Sequence, residues 1–339
     1  MPTSDTEKPK AHPHDARQSG RGRNADKPTD VPKQGWRDVL ARTKQQINED
    51  NLSVVAAGVA FYAFVAVVPA IVVLVALYGL IADPTTVTDQ VTALARFLPG
   101  EVVPLLQDQL TRIAGDQTKA GLSAIIAVLI ALYSSANATK ALITGLNIAY
   151  EEEEKRGFIK LNVVAITLTL GAIVGAVLAV TLVAGLPVVL KYLNITSGVE
   201  TLLNIVRWPI VAAGFAFGLA VIYRYAPSRD DAKWRWISPG ALVASVLWLV
   251  GSGLFSLYVA KAGTYDQVYG PLGAVVVFLM WLFISAFVVL IGAELNSELE
   301  RQTAKDTTKG PEQPMGTRGA QAADTVGPAR EKMPPPQKK

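Results

Sequence analysis

Polar and charged side chains recur every three or four residues along one otherwise apolar stretch of the chain. They are Ser134, Asn137, Lys140, Thr144, Asn147 and Glu151. On a helix this spacing places them on one face as a continuous stripe. The stripe could line a water-filled cavity, in which the ammonium of Lys140 would attract an anionic group. Alternatively, the helix leaves its apolar surroundings near Asn137 and continues as a solvated extension.

Three further polar residues stand where later apolar runs end. Arg224 closes the fourth run, and the sixth ends in Gly292-Ala-Glu-Leu-Asn, which contains Glu294 and Asn296. A buried Glu294 could pair with Lys140 or Arg224 and couple two helices; a solvated helix end is the alternative. The complete set of predicted cavity-lining residues is Ser134, Asn137, Lys140, Thr144, Asn147, Arg224, Glu294 and Asn296.

The composition argues against several catalytic chemistries. The chain has no cysteine, and its two histidines, His12 and His14, lie in a polar N-terminal stretch. Metal-assisted hydrolysis needs a cluster of histidine and carboxylate ligands, whereas the carboxylates of the apolar region are scattered. The glycine-rich nucleotide loop GxxxxGK[ST] is missing as well. We therefore expect no enzyme, no catalytic residue, no cofactor and no metal site.

The elements that must position these residues are long apolar helices. Of 339 residues, 50% are hydrophobic and 18% charged, and a helix needs roughly 20 apolar residues to cross a bilayer. Six stretches meet this length, at 52–82, 120–147, 161–190, 202–225, 237–260 and 272–293. The predicted fold is an all-α integral membrane protein, a bundle of six transmembrane helices over residues 35–301.

The distribution of basic residues predicts the orientation of the bundle. With the N-terminus inside, 25 of the 32 Lys and Arg residues fall in inner segments and 5 in outer segments. Because basic residues near spans are retained on the cytoplasmic side, we expect both termini in the cytoplasm. The polar tails, 1–34 and 302–339, are predicted to be disordered from their composition.

Two segments have the spacing of amphipathic interfacial helices. The first places Trp36, Val39, Leu40, Thr43 and Ile47 on one face before the first span, which is typical of a helix on the cytoplasmic surface. The outer segment 83–119 contains two shorter patterns of this kind, broken at Pro99-Gly100. It could be a cap that seals the outer face or a lid over a substrate path.

Two GxxxG pairs could allow helix backbones to approach closely. They are Gly171/Gly175 and Gly214/Gly218, and small residues at this spacing favour tight packing between membrane helices. We expect them to pack within the chain rather than to form a dimer face.

Several short motifs, in order along the spans, resemble those of one bacterial family. They are Ala56-Ala-Gly-Val-Ala-Phe-Tyr-Ala-Phe with Pro69, Asn147-Ile-Ala-Tyr, Tyr223-Arg-Tyr-Ala-Pro, Pro239-Gly-Ala, Tyr269-Gly-Pro-Leu-Gly-Ala, Trp281 and Gly292-Ala-Glu-Leu-Asn. Over about residues 36–301 the chain resembles the YihY/BrkB family, once described as ribonuclease BN. The resemblance implies a six-helix protein of the bacterial inner membrane, often described as a transporter or as associated with virulence. It supplies no catalytic residue and no substrate.

These observations favour a transporter or lipid-handling protein that moves a small solute or an anionic amphiphile. The expected partners are membrane lipids and an unidentified solute or lipid, with no nucleic acid. The alternative is a non-catalytic membrane scaffold for envelope assembly or virulence. Ribonuclease activity is not expected, because the chain lacks both the ligand cluster and a basic surface with interleaved aromatic residues.

Overall fold

The computed structural model describes residues 20–79, 120–185, 197–261 and 272–333. Its long helices are α1 (Lys33–Glu49), α2 (Leu52–Gly79), α3 (Ala120–Ala149), α4 (Phe158–Val180), α5 (Ser197–Tyr225), α6 (Trp234–Lys261) and α7 (Leu272–Glu300). A short helix, α8 (Gln321–Asp324), follows in the C-terminal segment, and a π-helical turn, Thr181–Gly185, continues α4. The predicted outer segment 83–119 lies outside the described residues.

Local sequence explains where several helices begin and end. Pro32 immediately precedes α1, where a residue without an N–H costs no helical hydrogen bond. Asn51 separates α1 from α2 with a φ of 49°, a left-handed conformation that asparagine adopts more readily than most residues. The axes of α1 and α2 are bent by 64° at this point. Gly157, with an extended backbone, immediately precedes α4.

Four helices of the described residues are long and apolar enough to cross a membrane. They are Phe158–Val183, Ile205–Tyr225, Trp234–Lys261 and Gly273–Glu300. A fifth is added if Lys33–Glu49 and Leu52–Val67 together form one bent span. The structure therefore shows an all-helical protein with four or five candidate spans, and the predicted number of six is not confirmed by this measure.

The long helices after α1 alternate in direction. One side of the bundle holds the ends of α3, α5 and α7 and the starts of α2, α4 and α6. This is shown by the connections 150–157 and 226–233, which contact each other and the end of α7 or the segment after it. Helix α2 packs mainly on α3, and α6 mainly on α7. The largest fully buried side chains of the described residues lie toward this side: Leu52, Ile143, Leu146, Tyr150, Tyr223, Trp236, Ile237, Leu290, Glu294, Leu299 and Gln302.

Residues 20–51, 150–157, 226–236 and 293–333 form one polar layer at that side of the bundle, here called the polar base. Within it, the segment after α7 pairs with the connection before α6: Lys233 N–H donates to the Thr307 carbonyl at 2.8 Å, and Lys309 N–H donates to the Asp231 carbonyl at 2.8 Å. The N-terminal segment joins the same layer, because Ala304 N–H donates to the Arg23 carbonyl at 2.8 Å.

The packing of residues 20–34 and 302–333 differs from the disordered tails expected from composition. Gln302, Thr303, Thr307, Thr308, Ala322 and Ala323 are each at most 1% exposed. Composition measures how little apolar surface a segment can bury, but here buried arginines hold the segment in place. Arg318 alone donates to the carbonyls of Ala304, Lys305, Gln313 and Ala323.

Helix α1 is confirmed, but part of its predicted membrane-facing surface packs on protein instead. Val39 is fully buried in a cluster with Trp236, Leu295 and Leu299, against which Trp36 is half-buried. Leu40, in contrast, is 56% exposed. The apolar face predicted from spacing is thus divided between a protein contact and an exposed edge.

The close helix contact is made by glycines other than those of the GxxxG pairs. A side chain on Gly171, Gly175, Gly214 or Gly218 would meet no atom within 4 Å in the described structure, so the prediction that they pack within the chain is wrong. Gly292 of α7 and Gly240 of α6 instead face each other. A Cβ on Gly292 would lie 2.7 Å from the Gly240 carbonyl oxygen, which leaves no room for a side chain.

Candidate functional site at the polar base

Four of the predicted lining residues lie together at the bundle side that carries the polar base. Asn147, Arg224, Glu294 and Asn296 are 5%, 4%, 1% and 0% exposed, respectively. The other four lie earlier in α3, farther from the polar base, and are half-buried or exposed: Ser134, Asn137, Lys140 and Thr144. The structure therefore divides the predicted lining into a buried group and an outer group.

Asn147 joins two connections of the polar base to the end of α3. Its amide Nδ2 donates to Glu154 Oε2 at 3.1 Å, and its Oδ1 accepts the backbone N–H of Ser228 at 2.8 Å. Ser228 Oγ in turn accepts the N–H of Lys155 at 3.0 Å. A buried amide whose hydrogen bonds are satisfied in this way holds the two connections in one arrangement.

Asn296 bridges α7 and α6 directly beside the glycine contact. Its Oδ1 accepts the backbone N–H of Gly240 at 2.7 Å, and its Nδ2 donates to the Ile237 carbonyl at 3.0 Å. The side chain reaches both groups because Gly240 and Gly292 let the two helix backbones come close. In an apolar setting, leaving such backbone groups unpaired is costly.

Glu294 is buried without the partners that its sequence position suggested. It is 1% exposed, so the alternative of a solvated helix end is wrong, and its Oε2 accepts no hydrogen bond from any described residue. Lys140 instead donates to Asn162 Oδ1 at 3.0 Å and lies 4.5 Å from the Tyr133 ring centre. Arg224 donates to the Ala232 carbonyl and lies 3.6 Å from an Asp231 carboxylate oxygen. No described contact joins Glu294 to Lys140 or Arg224.

A buried, doubly bonded ion pair of the base was not predicted from the sequence. Arg229 binds Glu300 through two parallel bonds, Nη1 to Oε1 at 3.1 Å and Nη2 to Oε2 at 2.6 Å. Both side chains are at most 1% exposed. Burial alone would lower the pKa of Arg229, but the Glu300 carboxylate outweighs burial and raises it. Thr307 also donates to Glu300, at 2.7 Å.

The phenol of Tyr150 lies beside this pair. The Arg229 guanidinium is 4.9 Å from the ring centre of Tyr150. Burial, and then the negative charge of Glu300, raise the pKa of the Tyr150 hydroxyl well above its ordinary value. Tyr150 is therefore a neutral phenol that packs against the guanidinium, a contact that favours the charged arginine in a buried site.

A second buried ionic group joins α1 to α7. Arg42 contacts the Glu298 carboxylate and also donates to Gln302 Oε1 at 2.9 Å. Arg301 donates to Glu298 Oε1 at 2.9 Å and to Glu151 Oε1 at 2.6 Å. A cavity of about 130 Å³ adjoins this group, lined by Arg42, Gln45, Gln46, Glu49, Glu298, Arg301, Pro328 and Met333. None of the predicted lining residues borders it.

In the described part of the chain, no group of three or more histidine or carboxylate side chains is placed to hold a metal ion. The base is instead a set of paired charges and amides that connects segments 20–34 and 301–333 to three helix ends. The sequence had already indicated Asn147, from the polar stripe, and Asn296, from the end of the sixth apolar run. Nothing in the sequence indicates which carboxylate pairs with Arg229.

Glu154 makes the stability of the base dependent on pH. Burial disfavours its charge, but hydrogen bonds from Arg156 and Asn147 outweigh burial and lower the pKa of Glu154 from 4.5 to about 2. Because the unfolded chain then takes up the proton first, this stabilisation is present above about pH 4.5 and is lost as the pH falls towards about 2. We expect the melting temperature difference between wild type and Glu154→Gln to shrink over this range.

The control for this measurement is Glu153→Gln, at an exposed neighbouring position. Its difference from wild type should stay constant across the same pH series of thermal unfolding. A Glu154→Gln difference that does not change between about pH 6 and about pH 3 would contradict the assignment.

The helices and their apolar surfaces define a multi-pass α-helical membrane protein. Large apolar side chains such as Phe217, Leu254 and Leu257, which are 60–63% exposed, face outward from α5 and α6, as is expected where lipid replaces water. The sequence profile of the family described as virulence factor BrkB matches residues 43–316. The chain therefore belongs to this family, which confirms the resemblance to YihY/BrkB proteins.

Curated relatives support the same assignment. A UPF0761 membrane protein of Photobacterium profundum is 28% identical over 268 residues, 77% of this chain and 80% of that protein. A Bacillus subtilis protein, YfkH, described as ribonuclease-like, is 26% identical over 223 residues, 65% of this chain and 80% of that protein. A UPF0761 membrane protein of Halorhodospira halophila is 40% identical over 101 residues, 30% of this chain and 21% of that protein. No solved structure gives a significant match.

Proposed function

We propose that this chain is a transporter or lipid-handling protein of the bacterial inner membrane that moves a small solute or an anionic amphiphile. In this proposal α2 to α7 are six spans, and the polar base faces the cytoplasm with both termini. The alternating direction of the helices supports the span number. The excess of basic residues in the segments of the base supports the orientation.

The observation that carries the proposal is the buried carboxyl of Glu294. A side chain that is 1% exposed at the end of an apolar helix, with an oxygen that no described residue satisfies, is costly to keep. Ionisable groups at such places in membrane proteins commonly mark ion or substrate paths. Lys140, half-buried in α3 beside Asn162, is the candidate for attracting an anionic group.

A flux assay in proteoliposomes tests this proposal. The probes are a fluorescent analogue of phosphatidylglycerol, to follow flipping between leaflets, and a panel of small inorganic and organic anions. We expect wild-type protein to move at least one probe. Glu294→Gln and Lys140→Met should each slow it at least about tenfold, which corresponds to about 1.4 kcal/mol.

The matched control is Lys309→Gln, which removes an exposed charge from the base and should leave flux unchanged. Flux no greater than in empty liposomes for every probe would contradict transport. That outcome favours the scaffold instead. Its supporting observation is that residues 20–34 and 302–333 fold into one packed surface.

A further inference from the structure

The outward face of α1 carries three basic residues and no acidic one. Lys33, Arg37, Leu40 and Lys44 follow one another at intervals of four, three and four residues, which places them in one narrow stripe along the helix. All four are exposed. We call these four residues the basic stripe.

The charges on the opposite face of α1 are used inside the protein, whereas those of the stripe are not. Asp38 binds Arg21 at 2.8 Å, and Arg42 binds Glu298. Among the described residues, the side chains of Lys33, Arg37 and Lys44 make no ion pair and no hydrogen bond; only the backbone carbonyl of Lys44 accepts one, from Asn48 Nδ2 at 2.9 Å. The stripe therefore presents three positive charges that no described residue neutralises.

The bend between α1 and α2 keeps the stripe close to the membrane surface. Because the axes differ by 64°, the rise of α1 measured along the axis of α2 is only about 0.7 Å for each residue. Lys33 and Lys44 thus differ in depth by about 7 Å, which is similar to the thickness of one headgroup layer. It is also within one Debye length at physiological salt, so all three charges can act on the same layer.

We propose that the basic stripe binds anionic phospholipid headgroups of the leaflet beside the polar base. Each basic side chain would contact headgroup phosphates, while Leu40 and the neighbouring half-buried Trp36 enter the boundary with the acyl chains. Exposed basic residues flanked by leucine and tryptophan are the composition of helices that lie in this interface. The proposal depends on α2 being a span and does not depend on transport.

The test uses the full chain, purified in a neutral detergent, with short-chain phosphatidylglycerol or phosphatidylcholine added. We expect phosphatidylglycerol to raise the melting temperature of wild type more than phosphatidylcholine does. The double variant Arg37→Gln/Lys44→Gln should weaken the binding of phosphatidylglycerol about 30-fold. It removes two basic residues, and each of them contributes a similar amount to the attraction to an anionic surface. High salt should weaken the binding in wild type as well.

The matched control is Lys309→Gln with Lys332→Gln, which removes the same charge from two exposed positions of the C-terminal segment. It should bind phosphatidylglycerol as wild type does. Equal melting temperatures of all three proteins in phosphatidylcholine would show that the stripe variant is folded. The proposal fails if the stripe variant keeps wild-type binding, if the control loses it equally, or if glycerol phosphate without acyl chains gives the full shift.

Discussion

Glu300→Ala is expected to lower the free energy of unfolding by about 3–5 kcal/mol, because it leaves the Arg229 guanidinium buried without a counter-charge. The pair is at most 1% exposed, and both Nη atoms of Arg229 are bonded to the Glu300 carboxylate. The change also removes the acceptor of the Thr307 hydroxyl. The measurement is unfolding of the purified protein in mixed micelles of increasing denaturing detergent.

Two further variants separate charge burial from simple loss of contact. Arg229→Met with Glu300→Met removes both charges at similar volume and should restore much of the lost stability. Lys27→Ala breaks the ion pair with Asp30, whose partners are 57% and 39% exposed, and should cost less than about 1 kcal/mol. Equal losses for Glu300→Ala and Lys27→Ala would show that the buried pair has no special role.

The second large effect is expected from Gly292→Ala, which should destabilise the protein by about 3 kcal/mol through overpacking. A Cβ at this position would lie 2.7 Å from the Gly240 carbonyl oxygen and 2.8 Å from the Ala244 Cβ, and closer still to the Tyr223 hydroxyl. To make room, α6 and α7 must separate. Separation would also weaken the bonds from Asn296 to Gly240 and Ile237.

Gly218→Ala is the matched control, since it makes the same chemical change on a neighbouring helix, at a position where no described atom would lie within 4 Å of the new Cβ. Alanine is favoured over glycine inside helices by up to about 1 kcal/mol, so this variant should be neutral or slightly more stable. Thermal unfolding in one detergent compares the two. If both changes have the same effect, the close contact of α6 and α7 is not the constraint we infer.

Apolar length and periodicity predicted the helices well, because both depend only on neighbouring residues. Each predicted stretch contains or overlaps a described helix, and α1 was found from spacing alone. Local patterns do not determine which face of a helix packs against which neighbouring helix. The GxxxG spacing pointed to Gly171 and Gly214, whereas the close contact uses Gly240 and Gly292, which lie on different helices and share no local pattern.

The candidate site was predicted only in part for a similar reason. The polar stripe of α3 identified Asn147, and helix ends identified Arg224, Glu294 and Asn296, all of which are buried. The pairs that hold the base together join residues far apart in the chain. Arg229 and Glu300 are separated by 71 positions, and Arg42 and Glu298 by 256. Local composition carries no information about such partners, so the packing of residues 20–34 and 302–333 was not foreseen.

The wide separation of these partners affects how the protein can be made. Arg23 donates to the Gln302 carbonyl, 279 positions later in the chain. At 5–20 residues per second, a ribosome needs about 15–60 s to reach that partner. In the proposed six-span topology, a chain with α7 inverted or missing would carry residues 301–333 on the wrong side of the membrane or leave them unanchored. Arg42 of α1 would then lack its Glu298 partner, so in this topology the base assembles only in chains whose α7 is inserted in the proposed direction.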